Sequence, residues 1–261
     1  MSITPSPPVV LVLAGLDPCG GAGLAADLQT LNALNCHAAP VATALTVQDT
    51  LNARRVDTLP TDLLLEQAHA VIRDTMPAAI KIGLCADVGT IQALAHIIDL
   101  ARDRKPGIAV VLDPVLSAGG GMALTPPAVP AALSETLARR ADLITPNAAE
   151  AQALGGVAHL LALGAKAILL TRGDDPQPVI RNSLHQTGQP ARHFDWPRVA
   201  GQFRGTGCTL ASACAAGLAH GLTLTDACQQ AQQFVAHSVA KAYTIGRGQA
   251  IPHRYRTWAP H

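Results

Sequence analysis

Short apolar runs alternate along this chain with longer stretches in which apolar residues recur at helical spacing. Residues 8–14 form a continuous apolar run that ends at Gly15, a pattern typical of a strand buried on both faces of a sheet. A glycine-rich loop over 15–23 follows, and residues 24–34 then show the helical period. The order of strand, glycine loop and helix favours a ligand-binding loop.

The same alternation continues to the C-terminus and predicts one doubly wound α/β domain over residues 1–261. Two short β-prone segments, 179–184 and 192–194, flank a turn-rich stretch and predict an antiparallel hairpin at one sheet edge. The further predicted strands are 38–47, 78–82, 107–112, 141–146 and 164–171, and the further predicted helices are 62–74, 88–102, 128–140, 209–216 and 225–243.

The stretch 204–213 carries the strongest chemical signal. Gly205 and Gly207 allow a tight turn before a helix of small residues, so several unpaired N–H groups should point at one anion. Cys208 falls at the start of this helix, where the helix dipole should lower the pKa of its thiol. This pattern indicates a base or nucleophile beside a phosphate, and the alternative is a small buried thiol in a tightly packed helix start.

Polar residues also stand at the ends of several predicted strands, where open α/β sheets bind ligands. Gln48 follows one strand and Asp113 another. A solvated strand end explains Gln48 nearly as well as ligand binding does, and a cap explains Asp113 equally well. Asn147 and Glu150 form a capping-box pattern that capping alone would explain. Gly21, Gly23 and Ala26 match a relaxed dinucleotide fingerprint, but the acidic residue that a ribose needs is absent.

Composition narrows the class of protein. The 261 residues are 49% hydrophobic and 14% charged with a net charge of +1, and 3% are aromatic. A chain with this charge and so few aromatic residues lacks the footprint of a nucleic-acid-binding protein. The ten histidines show no H-E-x-x-H spacing.

Cysteine usage and hydropathy give an expectation about location. The six cysteines form no C-x-x-C pair, which predicts free thiols in a reducing compartment. Residues 1–8 have no charged n-region, and the longest apolar run, 9–16, is too short to span a bilayer. We therefore expect a cytoplasmic protein that does not enter membranes.

With these pieces placed, the chain resembles the ribokinase-like superfamily and, within it, the hydroxymethylpyrimidine/phosphomethylpyrimidine kinases of thiamine biosynthesis. The resemblance rests on segments spread over almost the whole chain: residues 14–27, 43–50, 81–84, 113–115, 145–150 and 205–208. Where the wider superfamily has Asp, this chain has Cys208, and that difference points to the pyrimidine-kinase branch. The resemblance implies a three-layer α/β/α fold, an ATP-dependent kinase, Mg²⁺ as cofactor and a homodimer.

The resemblance also implies roles for individual residues. Cys208 corresponds to the base near the acceptor hydroxymethyl group, and Gly205, Thr206 and Gly207 to the anion hole for the transferring phosphoryl group. Asp27 and Gln48 correspond to pyrimidine-binding residues, and Leu84 and Val115 to the apolar walls of that pocket. Asp113, Asn147 and Glu150 correspond to the group that positions Mg²⁺ and the triphosphate, with Asp113 and Glu150 on the metal side. Arg172 corresponds to a residue near the nucleotide.

The chain departs from the family pattern at a few positions. Leu16 replaces a small polar residue or His, Cys19 replaces Ser, and residues 202–204 replace a His-containing segment before the anion hole. No P-loop sequence is present. Two alternatives stay open: a pyridoxal or pyridoxine kinase of the same fold, and a nonenzymatic regulator that binds the pyrimidine.

Overall fold

The computed structural model describes residues 6–255, and its strands and helices follow the predicted alternation. The strands are β1 (Val9–Leu16), β2 (His37–Gln48), β3 (Ala53–Thr58), β4 (Ala79–Ile82), β5 (Ala109–Leu112), β6 (Leu143–Ile144), β7 (Ala167–Leu170), β8 (Val179–Gln186) and β9 (Arg192–Pro197). The α-helices are α1 (Gly23–Ala33), α2 (Thr61–Thr75), α3 (Val88–Arg104), α4 (Val129–Ala132), α5 (Ala148–Ala153), α6 (Val157–Ala162), α7 (Thr206–Ala219) and α8 (Leu224–Ala240). The expectations for residues 1–8 and for a domain over 1–261 extend beyond the described residues.

Within residues 6–255 all strands join one sheet in the order β3-β2-β1-β4-β5-β6-β7-β8-β9. The six strands from β2 to β7 in that order run parallel, and β8 and β9 continue the sheet as an antiparallel hairpin at one edge. The predicted mostly parallel α/β sheet with an edge hairpin is therefore confirmed. No helix in this part of the chain is long and apolar enough to span a bilayer.

Three features differ from the sequence prediction. β3 pairs antiparallel with β2 at the other sheet edge, and its charged, exposed residues carry no alternating apolar signal. The helix predicted over 128–140 is α4 followed by a π-helical turn at Leu133–Leu137 and a 3₁₀ turn at Ala138–Arg140. The short helix α6 was also missed, since six residues are too few for a clear helical period.

The alternation of side chains along the central strands divides the interior into two cores. On β1, Leu11 and Leu13 pack on one sheet face in the cluster that includes buried residues of α2 and α3. Val10 and Val12 pack on the other face with buried residues of α1, α7 and α8. Successive strand residues point to opposite faces of the sheet, so strands that are buried throughout need helices on both faces. The result is a three-layer structure.

β4 breaks the apolar pattern at one position. Ile80 and Ile82 join the core beside α2 and α3, whereas the neighbouring Lys81 belongs to the opposite face and is fully buried. Its ammonium group lies 2.9 Å from a carboxylate oxygen of Asp27 on α1. A charge inside the protein requires such a partner. α1 and β4 are thereby joined directly beneath the carboxyl end of the sheet.

The segment that follows α8 ties the loops at this end of the sheet together. Arg254 is fully buried, and its guanidinium donates to the carbonyl oxygens of Gly21, Arg204 and Gly205, at 2.8, 3.2 and 3.3 Å. It also donates to the Thr209 hydroxyl at 2.7 Å. One side chain thus fastens the glycine-rich loop after β1 to the start of α7.

We predict that Arg254→Lys lowers the free energy of unfolding by about 2 kcal/mol, because a single ammonium cannot satisfy the buried carbonyl groups that the guanidinium serves. Urea denaturation monitored by circular dichroism measures the difference. Arg247→Lys, at an exposed position of the same segment, is the control and should leave stability unchanged. Equal stability of the two variants would contradict the fastening role of Arg254.

Candidate active site

A cavity of about 660 Å³ opens where the parallel strands end. Residues at or just beyond the carboxyl ends of all six parallel strands line it, together with the start of α7 and one side of α8. This is the position at which open α/β sheets bind ligands. The lining includes ten of the residues predicted from the sequence: Gln48, Leu84, Val115, Asp113, Asn147, Glu150, Gly205, Thr206, Gly207 and Cys208.

The start of α7 has the geometry expected of an anion site. Gly205 precedes the helix with φ +72°, and a Cβ there would lie 2.1 Å from the Gly21 carbonyl oxygen, so only glycine fits. The amide of Thr209 makes the first helical hydrogen bond, at 2.9 Å to Gly205. The N–H groups of Thr206, Gly207 and Cys208 have no backbone acceptor within residues 6–255, which leaves three donors for a ligand.

Cys208 is buried at the base of this turn, and the prediction of a lowered pKa is wrong. Burial raises the pKa of its thiol to about 12, and the charges of Asp113 and Asp27 act in the same direction. The Lys81 ammonium and a hydrogen bond from the Gly23 backbone oppose this rise without cancelling it. The loss of hydration is the largest of these effects. Cys208 therefore carries its proton at neutral pH when no ligand is bound.

Asp113 follows β5 and faces the anion turn, since a Cβ on Gly207 would stand 3.7 Å from its Oδ1. Its Oδ2 is buried without a hydrogen-bond partner among the described residues and lies 3.8 Å from the Lys81 ammonium. Burial raises the pKa of Asp113 to about 6, against the attraction of Lys81, and the neighbouring Cys208 thiol acts to lower it. An unsatisfied carboxylate oxygen at the base of a cavity is a fit for a cation.

Asn147 and Glu150 form the capping box at the start of α5. The Asn147 side chain accepts from the Glu150 N–H at 2.8 Å, and Glu150 Oε2 accepts from the Asn147 N–H at 2.9 Å. Burial, followed by the nearby Asp113 charge, raises the pKa of Glu150 to about 8. Capping does not account for the raised pKa of a partly buried glutamate near a second carboxylate, and a cation between them would relieve the repulsion.

The carboxylates suit a magnesium ion that is shared with a substrate. Within the described residues no group of three His, Cys, Asp or Glu side chains could hold a metal ion without other ligands. Mg²⁺ commonly binds through one or two carboxylates and completes its octahedron with water and substrate phosphates. Asp113 and Glu150 fit that mode of binding.

Two predicted site residues lie elsewhere. Asp27 does not reach the cavity: it is fully buried, with Lys81 at 2.9 Å on one oxygen and the Ser212 hydroxyl at 2.7 Å on the other. Its place beneath the cavity corrects the expectation that it contacts a pyrimidine. Arg172 lines a separate cavity of about 360 Å³, and its exposed side chain pairs with Asp175 at 3.3 Å.

The cavity extends to a second end that the sequence did not reveal. Trp196 on β9 and Val235 and Val239 on α8 line it. Gln232 receives hydrogen bonds from the Trp196 indole at 3.0 Å and from Asn182 at 2.9 Å, which holds the hairpin against α8. The pattern of 224–239 indicates only a buried helix face, so nothing in it distinguishes a wall of the cavity from the core.

Arg204 is another lining residue that sequence reasoning missed. It belongs to the segment 202–204 that departs from the family pattern, and no sequence feature assigns it a role. Its side chain is buried and forms an ion pair with Asp17, at 2.8 Å between Nε and Oδ2. It also donates to the side-chain oxygen of Gln48.

Comparison with known proteins gives a family match over most of the chain. A family model described as phosphomethylpyrimidine kinase matches residues 17–253. The hydroxymethylpyrimidine/phosphomethylpyrimidine kinase of Rhizobium meliloti (strain 1021) is 36% identical, covering 96% of this chain and 98% of the relative.

Solved structures share the fold. An ADP complex of Bacillus subtilis pyridoxal kinase superposes with a TM-score of 0.86 at 26% identity, covering 95% of this chain and 98% of that chain. The phosphomethylpyrimidine kinase of Clostridium difficile 630 superposes with a TM-score of 0.74 at 27% identity, covering 89% and 99%. The ribokinase-like fold is thus confirmed. From its sequence match, its fold and the arrangement of its cavity, the chain belongs to the phosphomethylpyrimidine kinase family.

Proposed function

We propose that this kinase transfers the γ-phosphoryl group of ATP to 4-amino-5-hydroxymethyl-2-methylpyrimidine and then to the resulting monophosphate, as a step of thiamine biosynthesis. One observation carries the proposal: three unpaired N–H groups at the start of α7 stand midway along a single cavity, between Gln48 at one end and Trp196 at the other. Such an arrangement suits a phosphoryl group passing between two bound molecules.

The end of the cavity at Trp196 is the proposed ATP site. An indole ring and the apolar side chains of Val235 and Val239 suit a flat base, and Asp174 and Arg198 lie near the same rim. The triphosphate would then extend towards the anion turn at Gly205. The fold shared with an ADP-binding kinase supports this assignment.

Asp113 and Glu150 are the proposed magnesium ligands, directly or through water, and Asn147 keeps Glu150 in place through the capping box. Bound there, magnesium would supply charge neutralisation for the transferring phosphoryl group. The buried Lys81 adds a fixed positive charge beneath the same site. Its pKa is raised because Asp27 and its neighbours outweigh the cost of burial, so the ammonium stays charged.

In the first transfer the acceptor is an alcohol, whose proton must leave as the new O–P bond forms. Cys208 alone cannot take it, since its raised pKa keeps the thiol protonated. Asp113 lies beside that thiol, and its pKa of about 6 in the metal-free site leaves it ionised at pH 7. Cys208 therefore receives the alcohol proton as its own proton passes to Asp113, while the bond between the γ-phosphorus and ADP breaks.

In the second transfer the acceptor is a phosphate oxygen that is already an anion near pH 7. No proton has to be removed from it. The anion turn, the cation and Lys81 serve this step in the same way as the first. The two transfers therefore share every proposed group except Cys208, and Asp113 acts in the second only as a magnesium ligand.

The proposal also includes the oligomeric state of the protein and its cellular location. We expect a homodimer that covers the exposed apolar residues of β2 and its turn, among them Leu45, Val47 and Leu51, which are 43%, 45% and 48% exposed. All six cysteines are free thiols, which supports a reducing, cytoplasmic setting.

The direct test is a coupled ADP-release assay with the pyrimidine, its monophosphate, pyridoxal and pyridoxine. We expect both pyrimidine compounds to be phosphorylated with the higher kcat/KM. The pyridoxal kinases of this fold make pyridoxal the natural competitor. A preference for pyridoxal of about tenfold or more would replace the proposed substrate, and pyrimidine binding without ADP release would indicate the nonenzymatic regulator.

Glu150→Gln separates cation binding from capping. Glutamine keeps an oxygen that can accept from the Asn147 N–H, so the helix stays capped, but the charge is lost. We expect kcat to fall by more than about tenfold, with a stability change within about 0.5 kcal/mol. Glu135→Gln, at an exposed position outside the cavity, is the control. A loss of stability without a loss of turnover would leave Glu150 as a capping residue only.

Cys208→Ala should reduce phosphorylation of the alcohol by about a hundredfold or more and spare most phosphorylation of the monophosphate. Cys208→Asp should restore part of the first step, since a carboxylate accepts the proton directly. The measurement is kcat/KM for both acceptors in each variant. Asp113→Asn, in contrast, should impair both steps. Equal losses in both steps for Cys208→Ala would mean that Cys208 shapes the anion turn without carrying a proton.

A further inference from the structure

Arg204 is a buried arginine at the acceptor end of the cavity, and the steps proposed above do not use it. The residue is 3% exposed and precedes the anion turn directly. Its Nε lies 2.8 Å from Asp17 Oδ2, in an ion pair whose side chains are 3% and 1% exposed. Its Nη2 donates to Oε1 of Gln48, and Gln48 lines the cavity.

Both partners hold the guanidinium in one position. Asp17 is itself fixed, since its Oδ1 accepts from the Cys19 N–H at 3.0 Å and its Oδ2 from the Ala22 N–H at 3.0 Å. The Arg204 backbone donates to the Ala250 carbonyl at 2.9 Å, and its own carbonyl accepts from Arg254. A planar group held at both ends presents its N–H bonds in fixed directions.

The contact determines which way the Gln48 carboxamide faces. A guanidinium has five N–H donors and no acceptor, so the atom of Gln48 that meets it has to be the oxygen. The Gln48 amide nitrogen then points away from Arg204, and it has no hydrogen-bond partner within residues 6–255. Without Arg204 the carboxamide could rotate by half a turn and offer its oxygen to a ligand instead.

We propose that Arg204 is a specificity-determining residue: by engaging the Gln48 oxygen it makes Gln48 a donor, so that the acceptor pocket selects a heteroaromatic ring with an unprotonated nitrogen. The inference rests on the proposed function, in which Gln48 reads the pyrimidine edge. A 4-aminopyrimidine has a lone pair on the ring nitrogen beside its amino group. The deaminated 4-oxo compound carries a hydrogen there, so that two donors would face each other at the ring nitrogen.

The test compares the 4-amino compound with its 4-oxo analogue in two readouts, kcat/KM for phosphorylation and Kd from calorimetry without ATP. The central variant is Arg204→Met combined with Asp17→Asn, because removing the arginine alone would leave a buried carboxylate unpaired. Its matched control is Arg181→Met with Asp195→Asn, which removes an exposed arginine–aspartate pair on the hairpin. Thermal unfolding checks that each variant is folded.

We expect the wild type to prefer the amino compound over the analogue by about a hundredfold or more. In the central variant this ratio should be about tenfold smaller. The control pair should keep the wild-type ratio. Arg204→Lys, which retains a donor and the charge, should keep most of it. Gln48→Glu has no side-chain N–H to donate, so it should bind the amino compound much more weakly and still bind the analogue.

Two results would overturn the inference. One is a central variant that is folded and keeps the wild-type ratio of the two Kd values. The other is a variant whose only defect is in binding the monophosphate, which would show that Arg204 binds the phosphate group. Failure of the proposed function looks different, since the wild type would then phosphorylate neither pyrimidine compound. The Kd ratio would still test Arg204 in that case, because it does not depend on turnover.

Discussion

The Lys81 ammonium group lies fully buried at the centre of the sheet, and the arrangement around it follows from the need to compensate its charge. Asp27 on α1 supplies the direct partner at 2.9 Å, and Asp113 after β5 lies at 3.8 Å. Ser212 on α7 holds the second oxygen of Asp27. Charges in a low-dielectric interior need well-placed partners, so this cluster determines how α1, β4, β5 and α7 meet beneath the cavity.

The floor formed by these charges explains why the start of α7 can serve as an anion site. Its three unpaired N–H groups open into the same cavity as Asp113, which lies 3.8 Å from the buried Lys81 ammonium. Arg254 holds the glycine turn from behind through backbone carbonyl groups. Transition-state stabilisation depends on donors that are in place before the reaction, and this site has them without a ligand.

The two ends of the cavity are built by different means, which suits the acceptor and donor roles proposed for them. The acceptor end consists of loops that the Asp17–Arg204–Gln48 chain and Arg254 hold in place, so its polar atoms point in defined directions. The donor end is a largely apolar slot between the edge hairpin and α8, braced by Gln232. Directional hydrogen bonds suit the recognition of a small polar ring, and apolar walls suit a flat base.

The sequence alone determined the alternation of strands and helices, the edge hairpin and the position of the anion turn, because each depends on local periodicity or on glycine. It also predicted that Asp113, Glu150 and Gln48 belong to one site, and all three line the cavity because they stand at strand or helix ends that meet at one edge of a parallel sheet. Only the tertiary structure decided which polar residues reach the cavity. Asp27 lies beneath it because its carboxylate pairs with the ammonium group of Lys81, 54 positions away in sequence. The pKa of Cys208 is raised because desolvation depends on everything packed around the thiol, and Arg204 meets Gln48 across 156 positions. Burial and long-range pairing arise only when distant segments come together, so no local pattern contains them.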